Sequence, residues 1–351
     1  MGGLTRRDGI ELGIGALLLA AAAAVHYATD TAVLQFVVAA VAIAALARLV
    51  GGATEQLGAR LGAASAGTVQ SALGNLPELF IALFALHDGL VDVVKSALIG
   101  SVLANSLLVL GLAFTAGGLR NGVQEFHGGR ARMIATLSML AAATLAIPTF
   151  AHDLHTHAAQ HEQALSLICA GVLLAVFLLT LRGFLTEGEP GEEGLIAARW
   201  PLGTTVAVLG ATAVAAAVAS DWFVSALEPA TKTLHMSHAF TGLVVVAIAG
   251  NAVENVIGIQ LALRNQPDFA IAVVINSSLQ VALALTPAIV FLSLLFTTHL
   301  TLVFPTLLAV VLLLGAVLAG IVVYDGRSTW EEGVVLVGLY VVVAASFWWG
   351  T

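Results

Sequence analysis

Charged residues are scarce in this chain. They make up 10% of its 351 residues, against 59% hydrophobic residues, and the mean hydropathy is +1.00. Soluble globular domains carry roughly 25% charged residues, and a soluble surface needs charge to cover it, so the deficit excludes an ordinary water-soluble domain. Apolar runs near or above the roughly 18 residues that cross a bilayer recur along the whole sequence. The composition therefore predicts a polytopic helical membrane protein surrounded by a lipid bilayer.

Cysteine and clustered basic residues are also lacking. Cys169 is the only cysteine, so the chain cannot form an intrachain disulfide. No basic patch or basic run interleaved with aromatic residues is present, so nucleic acid is not expected as a partner. No nucleotide-binding motif occurs either, which indicates secondary rather than nucleotide-driven transport, with no cofactor.

Eleven apolar runs separated by polar breaks predict an all-α chain with about eleven transmembrane helices. Four of these spans are unusual because they carry Gly, Asn, Glu, Ser or Gln well inside the apolar run. The approximate limits of the spans are residues 10–28, 32–50, 65–87, 92–116, 131–149, 164–184, 201–220, 240–263, 268–296, 301–323 and 332–350.

The orientation follows from the 13 Lys and Arg residues. With eleven spans, eleven of them fall on the side of the N-terminus, and only Lys95 and Lys232 fall on the other. Lys and Arg accumulate in cytoplasmic loops. The N-terminus is therefore predicted to be cytoplasmic and the C-terminus outside, by default in a bacterial plasma membrane.

An internal repeat relates the third and eighth spans. Gly74-Asn75-Leu76-Pro77-Glu78 and Gly250-Asn251-Ala252-Val253-Glu254 are two copies of GNxxE, 176 residues apart (250 − 74). The same offset places Ser101 on Ser277 without a gap. Five spans separate the copies, and an odd shift reverses direction across the membrane. The sequence therefore predicts inverted repeats, an architecture in which transporters bind substrate at the midplane.

Glu78 and Glu254 are predicted to lie near the middle of the bilayer. A charged carboxylate there costs roughly 2.5–3.5 kcal/mol even on the lenient insertion scale, and no Lys or Arg lies at the same depth in any predicted span. Desolvation and mutual repulsion favour the protonated pair, whereas a bound divalent cation stabilises both anions. Protons and metal would then compete for one site, which is what antiport requires.

Hard cations such as Ca²⁺ take six to eight oxygen ligands, more than two carboxylates supply. Asn75 and Asn251 stand three residues before their Glu, and Gly74 and Gly250 permit close approach or local unwinding. Pro77 lacks an amide and so frees a backbone carbonyl. Packing and interhelical hydrogen bonding remain the alternative for these residues and for a second set of lining candidates: Ser101, Asn105, Ser277, Gln280, Gln70 and Asn276.

An acidic cluster lies in the connection between the two halves. It is read either as a solvated linker or as a site that attracts or senses cytosolic cation, and it comprises Glu187, Glu189, Glu192 and Glu193.

The segments GNLPELFIALFAL, GSVLANSLLVLG, GNAVENVIGIQLAL and INSSLQVALAL resemble those of the cation/proton exchangers, the CAX branch of the calcium/cation antiporters. The resemblance implies two inverted five-helix halves around a midplane site, preceded by an extra first helix, with Glu78 and Glu254 as the exchange carboxylates. Asn255 departs from the family pattern, which usually has His there. The implied organisation is an extra helix at 1–30, halves at 31–185 and 201–351, and an acidic linker at 186–200.

The favoured function is thus exchange of Ca²⁺, or a similar divalent cation, for protons by alternating access. Exchange of Na⁺ or K⁺ for protons is the close alternative. An intramembrane enzyme using the two carboxylates, or a cation sensor without transport, is less favoured. Whether the chain forms a homo-oligomer is left open by the sequence.

Overall fold

The computed structural model describes residues 4–61, 73–186 and 199–350, and it confirms the all-helical prediction. In these ranges the only strands are two of two residues each, β1 (Gln124–Glu125) and β2 (Arg327–Ser328), which pair antiparallel. The helices are α1 (Arg6–Ala28), α2 (Ala32–Leu61), α3 (Leu76–His87), α4 (Val91–Asn121), α5 (Gly128–Asp153), α6 (Glu162–Thr186), α7 (Leu202–Thr233), α8 (His238–Gly250), α9 (Ala252–Leu263), α10 (Pro267–Ser293), α11 (Thr306–Val322) and α12 (Trp330–Phe347).

Eight helices in the described ranges are long and apolar enough to cross a membrane, and α8 with α9 makes a ninth candidate that is bent by 64°. The eight are α1, α2, α4, α5, α6, α7, α10 and α12. Helices α3 and α11 are apolar but shorter. Residues 62–72, which include the first part of the predicted third span at 65–87, are not described. The count of eleven spans therefore stays a prediction.

The predicted tenth span begins at Thr306 and not at residue 301, because residues 300–304 are not helical, and Leu300, Leu302 and Phe304 among them are buried. Non-helical backbone at membrane depth must be hydrogen-bonded inside the protein. Hydroxyl oxygens meet this demand by accepting backbone N–H groups of this segment, at 2.9 Å in each case. These pairs are Leu300 to Ser293, Leu302 to Ser166 and Phe304 to Thr149.

The chain forms two compact units, each built from two stretches of sequence. The first comprises Met1–Phe84 and Ala175–His235, and the second Ala85–Leu174 and Met236–Thr351. In the first unit α2 packs along α7, where Phe36 and Phe223 stack with their ring centroids 4.6 Å apart. The two units are defined by packing and not by the sequence repeat. The domain boundaries inferred from the sequence, at 1–30, 31–185, 186–200 and 201–351, stay a prediction.

Helix α1 packs against α2 and α7 in the first unit. Its buried residues Asp8, Gly15 and Ala22 are seven apart and form one narrow stripe. The carboxylate of Asp8 caps the helix through Thr5 and also accepts the indole N–H of Trp200 at 3.1 Å. A buried polar contact at Asp8 therefore supplements the narrow apolar contact of α1.

Helix α4 is the most buried of the long helices and forms the centre of the second unit. Its Gly100 faces the backbone of Leu243 in α8 so closely that a Cβ atom would lie 2.3 Å from the Leu243 carbonyl oxygen. The reciprocal contact is made by Gly242, whose added Cβ would lie 2.4 Å from the Val93 carbonyl oxygen. Glycine at both positions lets the two backbones touch.

Helices α4 and α10 show the repeat in their backbones. They begin 176 residues apart, at Val91 and Pro267, and each contains a π-helical segment, at Ala104–Val109 and Val281–Leu285 respectively. The helices meet where the Ser278 hydroxyl donates to the Val102 carbonyl oxygen at 3.0 Å. Positions 102 and 278 are themselves 176 apart. Corresponding residues therefore meet at the contact, as local two-fold symmetry requires.

Candidate cation-binding site

Both GNxxE motifs lie at the start of a short helix. Helix α8 ends at Gly250 and α9 begins at Ala252, so Asn251 occupies the break and Glu254 lies in the first turn of α9. Helix α3 likewise begins at Leu76, directly after Asn75, and carries Glu78 in its first turn. The sequence had placed the glutamates within continuous spans. The difference matters because the N-terminus of a helix favours negative charge.

The two short helices have identical length and equivalent bounds. Both have 12 residues, and Leu76–His87 and Ala252–Leu263 differ by 176 at each end. Each is followed by a left-handed residue at the equivalent position, Gly89 with φ 77° and Asn265 with φ 58°. The repeat is therefore preserved in the backbone of each copy, including the turn that ends it.

Asn251 is the centre of a buried hydrogen-bond cluster in the second unit. Its amide Nδ2 donates to the hydroxyl of Ser101 at 3.1 Å and to the carbonyl oxygen of Ala247 at 2.9 Å. Its Oδ1 accepts from Asn105 Nδ2 at 3.2 Å and from the Ser277 hydroxyl at 3.4 Å. Asn105 also donates to Ser277 at 3.0 Å. Four residues that the sequence singled out therefore converge on one point.

The orientation of these amides follows from the chemistry of one partner. The Ala247 carbonyl can only accept, so the nitrogen of the Asn251 side chain must face it. The oxygen of Asn251 then faces Asn105, which must donate with its own nitrogen. Asn105 Oδ1 is consequently left buried without a hydrogen-bond partner.

Glu254 follows Asn251 by one helical turn and is partly buried. The neighbouring Asn255 is also partly buried, and its Oδ1 has no hydrogen-bond partner. Gly250 is buried beside the break. The second copy thus offers one carboxylate at a helix N-terminus, close in sequence to a neutral polar cluster.

The first copy lies in the first unit. Asn75 is buried and its backbone carbonyl accepts the Leu79 amide at 3.0 Å, while Gly74 and Glu78 are partly buried. Binding of one ion by Glu78 and Glu254 together stays a proposal.

The remaining candidates are more dispersed. Asn276 and Gln280 are partly buried on α10, and Gln280 is the last residue before the π-helical segment of that helix. Gln70 lies outside the described residues, as does the acidic cluster of Glu187, Glu189, Glu192 and Glu193. In the described part of the chain, no group of three or more His, Cys, Asp and Glu residues is arranged to hold a metal.

The helix start at each motif was missed although the sequence contains its signal. Asn is a favoured N-cap residue, and an acidic residue three positions later is typical of the first turn. In the first copy Pro77 strengthens the signal, because proline fits the first turn and not the interior of a helix. The GNxPE motif can therefore be read as the beginning of a helix.

Known proteins resemble the chain over nearly its whole length. The family model described as sodium/calcium exchanger protein matches residues 31–186 and 204–349. A Ca(2+)/H(+) antiporter of Synechocystis sp. is 32% identical over 337 residues, which are 89% of this chain and 90% of that protein. The Ca(2+)/H(+) antiporter ChaA of Bacillus subtilis is 35% identical over 328 residues, covering 89% and 91% of the two chains.

Among solved structures, that of native YfkE matches with a TM-score of 0.80 and 31% identity, covering 97% of this chain and 98% of that one. The matched motifs and the broken helices described above lie inside the aligned regions of the family model. The chain therefore belongs to the sodium/calcium exchanger protein family and is an integral membrane transporter rather than an enzyme.

Proposed function

We propose that the chain is a secondary antiporter that exchanges Ca²⁺ for protons across the membrane by alternating access. The observation that carries the proposal is the duplicated GNxxE motif, in which each copy presents one glutamate in the first turn of a 12-residue apolar helix. Relatives that are 32% and 35% identical are named Ca(2+)/H(+) antiporters, which supports both the ions and the direction of coupling.

Glu78 and Glu254 are the proposed exchange carboxylates. The N-terminal helix position stabilises a carboxylate by about 0.3–1 kcal/mol at exposed sites and more where partly buried, which offsets only part of the cost of burying a charge. An ion or a proton must supply the rest. Further oxygens for Ca²⁺ would come from Asn75 and from backbone carbonyls beside Gly74 and Gly250, since Ca²⁺ takes six to eight.

The driving force is the proton gradient and the membrane potential. One pH unit supplies about 1.36 kcal/mol per proton, and 100 mV supplies about 2.3 kcal/mol per net charge moved. Because protons compete with Ca²⁺ for the carboxylates, raising the pH on the Ca²⁺ side is expected to lower the Ca²⁺ concentration needed for half-maximal exchange.

The proposed placement has the N-terminus in the cytoplasm, the C-terminus outside and the protein in a bacterial plasma membrane. The excess of Lys and Arg on one side of the predicted spans supports it. We also propose the two five-helix halves and the acidic linker, as the sequence repeat suggests.

Reconstituted vesicles with an imposed pH gradient test the function. Ca²⁺, Mn²⁺, Mg²⁺, Na⁺ and K⁺ are added in turn while proton flux is recorded, with Glu331→Gln as the control because Glu331 is exposed at the start of α12. We expect Ca²⁺-stimulated flux in the wild type and the control, and none in Glu78→Gln or Glu254→Gln. Flux driven by Na⁺ or K⁺ alone, or unchanged flux in both glutamine variants, would contradict the proposal.

A further inference from the structure

The Asn251 side chain has no capacity left for a cation. A carboxamide offers two N–H donors and two acceptor positions on its oxygen. Asn251 uses all four, two toward Ser101 and Ala247 and two from Asn105 and Ser277. Its side chain is completely buried. To ligate a metal through Oδ1, it would have to give up its bond to Asn105 or its bond to Ser277.

The partners of Asn251 come from three different helices. Ser101 and Asn105 lie on α4, Ser277 lies on α10, and Ala247 is in the last turn of α8. The carboxamide therefore joins the end of α8 to the two central helices at the point where the chain turns by 64° into α9. Glu254 lies three residues beyond this fixed point.

We propose that Asn251 is a positioning residue that holds the α8–α9 break against α4 and α10, and through it Glu254, rather than a ligand of the transported cation. The inference rests on the proposed function, because it assigns the role of one residue at the same site. In this role the Asn of the second copy acts on transport through the neighbouring carboxylate of Glu254.

The substitution Asn251→Asp distinguishes the two roles. Aspartate is a stronger ligand for a hard cation than asparagine, so a ligand at this position would bind Ca²⁺ more tightly after the change. A carboxylate cannot donate to the Ala247 carbonyl and would repel it. If Asn251 is a positioning residue, the substitution would therefore weaken the contact that holds the α8–α9 break against α4 and α10. We expect Ca²⁺ binding measured by calorimetry in detergent to become no tighter, and the maximal exchange rate in vesicles to fall at least about tenfold.

The outcomes separate this proposal from the function itself. Absence of Ca²⁺/proton exchange in the wild-type protein would overturn the function. Exchange in the wild type, together with tighter Ca²⁺ binding and a retained rate in Asn251→Asp, would overturn the positioning role alone.

A double-mutant cycle decides the question if Asn251→Asp does not give a monodisperse protein. Ser101→Ala and Asn251→Ala are measured singly and together, because Ser101 should act only through Asn251. We expect Ser101→Ala to lower the exchange rate in the wild type but to add no further loss once Asn251 is alanine.

The matched control is Ser106→Ala, since the buried Ser106 hydroxyl bonds to the Val102 carbonyl and not to Asn251. In the double variant, the fold reduction in exchange rate caused by Ser106→Ala is expected to be the same as in the wild-type background. If the fold reductions in exchange rate caused by Ser101→Ala and Asn251→Ala also multiply in the double variant, the two residues act independently and the positioning role is wrong.

Discussion

The two copies of the GNxxE motif share a backbone conformation but lie in different units of the fold. Helices α3 and α9 have equivalent bounds and end in left-handed residues at equivalent positions. The second copy is joined by Asn251 to α4 and α10, and its far end accepts side-chain hydrogen bonds from the last residue of α4 and from the α4–α5 connection. Local sequence thus determines the break and the helix, while the packing around each copy determines what its polar residues do.

Helices α4 and α10, which the repeat also relates, differ at one pair of equivalent positions. Gly100 of α4 corresponds to Asn276 of α10 (276 − 100 = 176). A Cβ atom on Gly100 would lie 2.3 Å from the backbone of Leu243, whereas Asn276 is partly exposed. Making the copies alike by Gly100→Asn is expected to prevent folding, because the clash is with backbone and cannot be relieved by a rotamer. Size-exclusion chromatography after detergent extraction should show aggregate or no protein.

The reciprocal change, Asn276→Gly, and the open-site change Gly171→Ala serve as controls. A Cβ on Gly171 meets nothing within 4 Å, so both variants should elute as the wild type does. A monodisperse Gly100→Asn protein would mean that α4 and α8 are not held in backbone contact.

The C-terminal end of α9 gives the next largest effect. Gln124 is buried and donates to the Ala262 carbonyl oxygen at 3.0 Å and to Asn265 Oδ1 at 2.9 Å. Gln124→Leu removes both hydrogen bonds from this buried position, at about 0.5–1.5 kcal/mol for each bond, although the Ala262 carbonyl keeps the bond from Asn121. We expect a clear fall in the melting temperature followed by intrinsic fluorescence. Gln163→Leu, which removes an exposed bond to His299, should leave it nearly unchanged.

Much of this arrangement could be predicted from the sequence, because it rests on local signals. Apolar runs predicted the helices, and the constant offset of 176 residues between Glu78 and Glu254, and between Ser101 and Ser277, predicted the repeat. The helix starts were also readable from Asn at the cap and Pro77 in the first turn.

The cluster around Asn251 could not be predicted in the same way. Its bonds depend on where α4 and α10 cross and on how closely α8 approaches, and these are set by contacts between residues about 150 apart in sequence, such as Ser101 and Asn251. The π-helical segment that begins at Ala104 also changes which face of α4 the following residues occupy. The non-helical segment at 300–304 was missed for a similar reason, because its apolar residues are typical of a helix until their hydrogen-bond partners on other helices are known.

The turns that follow α3 and α9 allow a smaller comparison. Gly89 has φ 77°, and a Cβ added there meets nothing within 4 Å. Gly89→Ala should therefore cost only the conformational penalty of a left-handed residue, about 1–2 kcal/mol. Asn265→Gly relaxes the same strain in the second copy but removes the acceptor of Gln124. Comparing the melting temperatures of the two variants separates the effect of backbone strain from that of the side-chain hydrogen bond. A melting temperature that Gly89→Ala leaves unchanged would show that residue 89 is not left-handed.

The smallest effect is expected where the motifs themselves differ. Pro77 and Val253 both occupy the second helical position after the cap asparagine, where the backbone N–H has no intrahelical acceptor and proline is tolerated. Leu76 precedes Pro77 in the first turn of α3, and Ala252 occupies the same place before Val253 in α9. Val253→Pro should therefore fold and keep an exchange rate within about twofold of the wild-type rate. We expect the same of Pro77→Val. A continuous helix through either motif would instead lose a hydrogen bond and gain a clash, at about 3 kcal/mol. Failure of Val253→Pro to fold, with Pro77→Val unaffected, would therefore show that only the first copy starts a helix at its asparagine.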